Sequence, residues 1–343
     1  MAAQIASFRD RNGAQQLVEL TRPTRPIVHI GYHKTATTWF QDQVWPAATS
    51  HAFVPRAATQ RAFLSPPGMH FDAAAARAEL GLAAQSRPAL LSEENLSGYP
   101  HNGGLHGLVG PEMARRIVAT MPDAQIVIFV RNQREIVRAS YAQYVSGGGT
   151  WSVRRYLSGK AGRHGALTRA YKAPAFEWEH FAFDRLVGFC HDLFGRDSVH
   201  VYPYEALREP EAFLVRLRRD LGVTIPADVA VRPRANRSLG REALLALRVA
   251  NLFTRQSVVN KTTLVDLPGG QGLRHVAKWL FKHLPSRRFE LPVDLAAKVD
   301  GYYADSNARL AAMCDLPLAE LGYPLAEMPA APHSEGGFEK DAA

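Results

Sequence analysis

The chain has 343 residues, 46% hydrophobic and 21% charged, with 41 Lys and Arg against 32 Asp and Glu for a formal net charge of +9. These proportions exclude an intrinsically disordered chain, the longest apolar runs are too short for a helical membrane span, and the positive excess favours an anionic partner. Two cysteines, Cys190 and Cys314, have neither metal-ligand spacing nor the makings of a disulfide framework. Met1 to Leu20 is polar and lacks the apolar core of a signal peptide, so residues 1–25 are expected to be an N-terminal extension and the cytoplasm the compartment.

From Ile27 the chain reads Ile27-Val28-His29-Ile30-Gly31-Tyr32-His33-Lys34-Thr35-Ala36-Thr37-Thr38-Trp39-Phe40: a buried strand, a tight turn carrying one lysine, and a hydroxyl-rich helix start. The first N–H groups of a helix lack internal partners and lie at the positive end of its dipole. An anion held there gains hydrogen bonds and charge attraction together. Lys34 adds a mobile charge, and Thr35, Thr37 and Thr38 add donors. The spacing is not G-x-x-x-x-G-K-[ST], because His33 stands where that loop has its second glycine.

An alanine-rich helix is expected from Phe71 to Leu80, stopped by Gly81, and a buried strand follows in Pro88-Ala89-Leu90-Leu91-Ser92-Glu93-Glu94-Asn95-Leu96-Ser97-Gly98. Its carboxyl end delivers two carboxylates to the edge of the sheet where ligands of open α/β folds bind. Adjacent residues at a strand end face opposite ways, so one of the two enters the crevice. His33, beside Lys34 and of suitable basicity, is a rival for any general base here, and Glu94 also reads as a helix N-terminal carboxylate. Pro111 to Thr120 reads as a helix with proline at its start. Ala124 to Tyr141 then repeats the strand-to-helix pattern, with Ile126 to Val130 buried on both faces and Arg131 leaving the carboxyl end. A guanidinium there suits a phosphate dianion, and Ser140 can donate a further bond from the following helix.

Ser146 to Gly149 is a breaker. Ser198 to Tyr204 is a strand, Tyr204-Glu205-Ala206-Leu207 a turn, and the next helix carries Pro210 in its first turn and Gly222 at its C-cap. Arg232-Pro233-Arg234-Ala235-Asn236-Arg237-Ser238 precedes a helix from about Leu239 to Phe253, with Ser238 a candidate N-cap. Arg274 to Leu284 gathers Val276, Trp279, Leu280, His283 and Leu284 on one helical face; core packing is the expectation, with a peripheral membrane contact as the alternative. Residues 328–343 have the composition of a disordered tail, which leaves 26–327 as one domain.

The loop Gly31-x-x-Lys34-Thr35-Ala36-Thr37-Thr38, the strand-end Arg131, the Tyr204-Glu205-x-Leu207 turn and the closing run from Tyr302 through Leu321-Gly322-Tyr323-Pro324 together resemble the sulfotransferases that use 3′-phosphoadenosine 5′-phosphosulfate, PAPS. The resemblance implies a single-domain, P-loop-like, three-layer α/β fold with a mostly parallel central sheet flanked by helices. It also implies a bacterial enzyme moving the sulfuryl group of PAPS to a hydroxyl or amine, on a carbohydrate, lipid-linked sugar or small metabolite, without a metal. Gly31, Lys34, Thr35, Ala36, Thr37 and Thr38 would hold the 5′ end of the co-substrate. Arg131 and Ser140 would hold the 3′-phosphate, and Arg234, Asn236 and Arg237 would form a late basic clamp. The family's serine lies eight residues after its arginine, at Ala139 here, so Ser140 projects about 100° away around the helix. Lys34 would meet the charge developing on the phosphate–sulfate bridge, and the family pattern Ser-x-Glu-x-Leu selects Glu94 over Glu93 as the base.

Two other readings fit the loop: a P-loop-type nucleotide kinase, and a non-catalytic binder of nucleotide or polyanion. Nucleic acid is not the expected ligand, because no stacking set of aromatics is interleaved with the basic residues near the motifs. Against the kinase, the central strands end in Ser92-Glu93-Glu94 and Arg131, without a metal-holding aspartate.

Overall fold

The computed structural model describes residues 4–9, 15–20, 24–100, 107–158, 176–227, 229, 239–253 and 287–326. β1 (Gln4–Arg9) and β2 (Gln15–Leu20) pair antiparallel as a separate two-stranded sheet. The strands β3 (Ile27–His29), β4 (Ala52–Phe53), β5 (Ala89–Ser92), β6 (Gln125–Val130) and β7 (Val199–Pro203) form the main sheet in the order β4-β5-β3-β6-β7. All its pairings are parallel, so the expected mostly parallel sheet is wholly so among the described residues.

Side-chain alternation divides the core in two. Val28, Leu91, Ile126 and Ile128 face one apolar layer, while Ile27, Leu90, Val127 and Phe129 face the other, which makes the architecture three-layered. Every residue of β6 is buried, as its unbroken apolar run requires of a central parallel strand. At about 1.5–3 kcal/mol for each large side chain removed from water, this strand and its neighbours dominate the packing. The Thr37–Trp39 turn, its π-helical continuation Phe40–Val44 and the Pro210–Leu221 helix cover the second layer. Helices Arg56–Phe63, Val109–Thr120, Gln133–Ser146, Phe183–Phe194 and Val293–Cys314 are among those covering the first.

The helix over Phe71 to Leu80 is shorter than its composition suggests and spans Ala73–Glu79, because Asp72 accepts from the Ala74 N–H at 2.8 Å and caps it. Val109–Thr120 begins two residues before Pro111, which sits in the first turn where its missing N–H has no partner to lose. The late helix is Arg241–Ala250 with Gly240 at its N-cap, not Ser238, and a 3₁₀ turn Asn251–Phe253 ends it. Pro210 at the helix start and Gly222 in the left-handed region at its end agree with the sequence. Arg274 to Leu284 and 328–343 lie outside the described residues. Among those described, no helix is long and apolar enough to cross a membrane.

Buried polar pairs tie the last helix to the start of the helix that follows β6 and to the closing run of the chain. Gln133 and Asn307 exchange hydrogen bonds of 2.6 and 2.9 Å, and Asn307 also donates to the Pro324 carbonyl at 2.9 Å. Tyr323 donates to Glu205 at 2.7 Å, and Glu205 accepts from the Asn132 N–H at 3.1 Å. The Tyr204-Glu205 turn and the closing Gly322-Tyr323-Pro324 run therefore both brace the corner that presents Arg131.

Candidate functional site

The loops after β3, β5 and β6, three adjacent strands, leave the same edge of the sheet and meet there. After β3 the backbone runs through two left-handed residues, Lys34 (φ 67°) and Ala36 (φ 64°), into the helical turn at Thr37. Such reversals turn successive N–H groups toward one point, an arrangement suited to an anion. The loop is anchored from below: Tyr32 is buried against Phe181, Phe183 and His180, and its carbonyl accepts from Thr35 Oγ1 at 2.5 Å and Thr37 Oγ1 at 3.4 Å. Thr35 and Thr37 thus spend their hydroxyls on the loop itself, while Lys34 and Thr38 are exposed.

Arg131 arrives from the end of β6. Its Nη1 donates to the Lys34 carbonyl at 2.8 Å, its guanidinium lies 4.4 Å from the centre of the Tyr204 ring, and Nη2 is 3.7 Å from Glu135. A cavity of about 430 Å³ opens beside it, lined also by Arg208 and Arg288. Burial works against the charge of Glu135, but Arg138 at 2.6 Å, Arg288 at 2.5 Å and Arg131 together hold its carboxyl below the ordinary value. Ser140 lies on the same helix with no exposed surface, and its hydroxyl has no partner among the described residues. Arg234, Asn236 and Arg237 fall outside those residues. Arg288, from the segment leading into the last helix, is the late basic residue placed at this corner.

At the end of β5 the two carboxylates differ sharply. Glu93 is fully buried and saturated: it accepts from Arg56 Nε at 2.6 Å and Nη2 at 3.0 Å, from Gln60 at 2.6 Å, and from the Asn95 N–H at 3.0 Å, capping the 3₁₀ turn Glu94–Ser97. Glu94 is half-buried and accepts from Arg56 at 2.6 Å and Gln41 at 3.0 Å. His33 Nε2 lies 3.1 Å from Asn95 Oδ1, while its Nδ1 is buried without a partner among the described residues. Burial holds the His33 pKa below its usual value, with Glu94 and the Asn95 bond opposing that shift. With Nε2–H donating to Asn95, a neutral His33 keeps its lone pair on Nδ1.

Arg56, Gln41, Gln60, Asn95 and Arg288 carry no motif signal. Asn95 follows Glu94 directly and Gln41 lies in the helix that follows the loop, whereas Gln60, Arg288 and Arg56, in the first turn of a helix after Pro55, reach the site only through tertiary packing. Tyr204 had a sequence signal as a turn residue but not as the ring under Arg131. No group of His, Cys, Asp and Glu suited to a metal ion occurs among the described residues.

The chain's architecture is similar to that of solved sulfotransferase structures. One, from Alicyclobacillus acidocaldarius, is 17% identical and covers 87% of this chain and 99% of its own, with a TM-score of 0.53. Another, the sulfotransferase domain from the curacin biosynthetic pathway, is 12% identical over 89% of this chain and 100% of that one, with a TM-score of 0.40. No family model and no curated protein matches the chain. The class is therefore an α/β protein with a parallel sheet and, at its carboxyl edge, a loop that runs through two left-handed residues. More particularly, the fold is the sulfotransferase fold.

Proposed function

We propose that this protein is a PAPS-dependent sulfotransferase acting on a hydroxyl or amine acceptor, of the class of carbohydrates, lipid-linked sugars or small metabolites, in the cytoplasm of a bacterium. The observation that carries the reading is the joining of Arg131 to the loop at the Lys34 carbonyl, since a nucleotide with phosphates at 3′ and 5′ needs two cationic sites in one crevice.

The acceptor oxygen attacks the sulfur of PAPS, the bond from sulfur to the bridging oxygen of the 5′-phosphate breaks, and adenosine 3′,5′-bisphosphate leaves. Lys34 and the N–H groups of the loop stabilise the charge that gathers on the bridging oxygen. Arg131, stacked on Tyr204, takes the 3′-phosphate, with Ser140 a further donor if the helix shifts to admit it; Arg208 and Arg288 line the same cavity. The acceptor's proton goes to Glu94 or to His33 Nδ1. Glu94 remains our choice because its carboxylate keeps lone pairs beyond the two contacts it makes, and Glu93 has none to spare. Incubating the protein with sulfur-labelled PAPS and an extract of its host, then identifying the labelled product, tests the reading. Release of label as free sulfate alone, with no acceptor marked, contradicts it.

A further inference from the structure

His29 is fully buried in the middle of the sheet, its ring centre 5.3 Å from that of Phe129, 5.5 Å from Phe40 and 5.8 Å from Trp45. Its hydrogen bonds fix its proton. An indole N–H can only donate, and Trp45 Nε1 donates to His29 Nδ1 at 3.1 Å, with Ser92 Oγ 2.8 Å from the same nitrogen. The ring's hydrogen therefore sits on Nε2. Burial pushes the pKa down to about 3, which keeps the ring neutral. Nε2 is buried, has no partner among the described residues, and faces Gly31, where an added Cβ would lie 2.4 Å from it. Gly31 is not among the glycines of positive φ, so the ring, and not the backbone angle, demands glycine there. Three parts of the site meet on this one ring: the start of the loop at Gly31, the end of the loop helix at Trp45, and Ser92 beside Glu93 and Glu94.

We propose that His29 is a positioning residue, the seat on which Gly31 rests, which sets where the Lys34 loop stands relative to Glu94. That the loop so placed holds a nucleotide rests on the reading above. Four proteins test the proposal: wild type, His29→Asn, Gly31→Ala and the double variant. Asparagine keeps a polar group where Nδ1 was, for Trp45 and Ser92, and removes the ring edge under Gly31. Affinity for adenosine 3′,5′-bisphosphate by calorimetry and melting temperature are the readouts. His29→Asn is expected to fold and to bind the bisphosphate roughly tenfold or more weakly, since small displacements of positioning groups are costly. A side chain that only packs would change melting and leave the affinity of folded protein alone. Gly31→Ala is expected to lose both stability and affinity, and the double variant to recover part of each, because the shorter side chain makes room for the new methyl group. A Gly31→Ala protein indistinguishable from wild type overturns the proposal, and so does a double variant no better than Gly31→Ala, including the case where neither folds while His29→Asn does. Should wild type itself not bind the bisphosphate, the nucleotide reading fails; coupling between the two substitutions in melting temperature still supports the seat, and simple additivity overturns it.

Discussion

Arg131 donates from Nη1 to the carbonyl oxygen of Lys34 at 2.8 Å, so the arginine that follows β6 is tied to the backbone of the lysine in the loop after β3. One contact joins the two cationic elements of the site. It also makes their roles separable, because removing the Lys34 side chain leaves the tie intact while removing that of Arg131 does not.

Arg131→Ala is expected to weaken adenosine 3′,5′-bisphosphate binding by roughly 2–5 kcal/mol, the range for losing one partner of a desolvated charged pair. Lys34→Ala is expected to abolish turnover, since it strips charge stabilisation from the leaving group. Single-turnover kinetics separate the two effects. A Lys34→Ala protein that kept most of its rate would mean that the loop is architectural only.

Glu94→Gln should bind the bisphosphate as wild type does and lose about 10²–10⁴-fold in rate, because the amide keeps the size and loses the basicity. Glu93→Gln acts differently. It breaks a fully buried, four-bonded carboxylate, so its expected effect is a stability loss of about 1–3 kcal/mol in denaturant unfolding, discounted because Arg56 is 41% exposed. If His33→Asn shows the rate loss and Glu94→Gln does not, the base is His33 Nδ1.

Ala36 has a left-handed backbone (φ 64°) that costs a side-chain-bearing residue about 1–2 kcal/mol. Ala36→Gly should therefore raise the denaturant midpoint with an unchanged slope. A lowered midpoint would argue against this loop conformation.

The pH dependence of stability carries the signature of His29. Its pKa falls from an ordinary 6.5 to about 3 on folding, so below 6.5 the unfolded chain binds the proton that the folded one refuses. The stability it protects is fully present above pH 6.5 and is lost progressively as pH falls toward 3. His29→Asn should flatten the unfolding free energy against pH across that window relative to wild type. Parallel curves for the two proteins would show that His29 titrates in the folded state much as it does unfolded.

The strands and the loop were legible because their signals are local: the unbroken Ile126 to Val130 run, the Lys34-Thr35 turn, Pro210 and Gly222 at the ends of one helix. Helix starts were less so: Asp72 caps a helix that begins at Ala73 where Phe71 was the expected start, and Gly240 takes the cap for which residue type favoured Ser238. The site beyond its motifs was not legible. Arg56 joins Glu93 and Glu94 across 37 and 38 residues, and Arg288 joins Glu135 across 153, which no spacing rule encodes. Gly31 was legible only through the loop's resemblance, whereas the reason for a glycine there is the ring of His29, the last residue of β3.

The central claim is that Lys34 and Arg131 frame one crevice for a nucleotide phosphorylated at both 3′ and 5′. Isothermal titration of the protein with adenosine 3′,5′-bisphosphate and with AMP tests it most directly. The account predicts that the bisphosphate binds far more tightly than AMP and that Arg131→Ala erases most of the difference; equal affinity for the two nucleotides in the wild-type protein contradicts it.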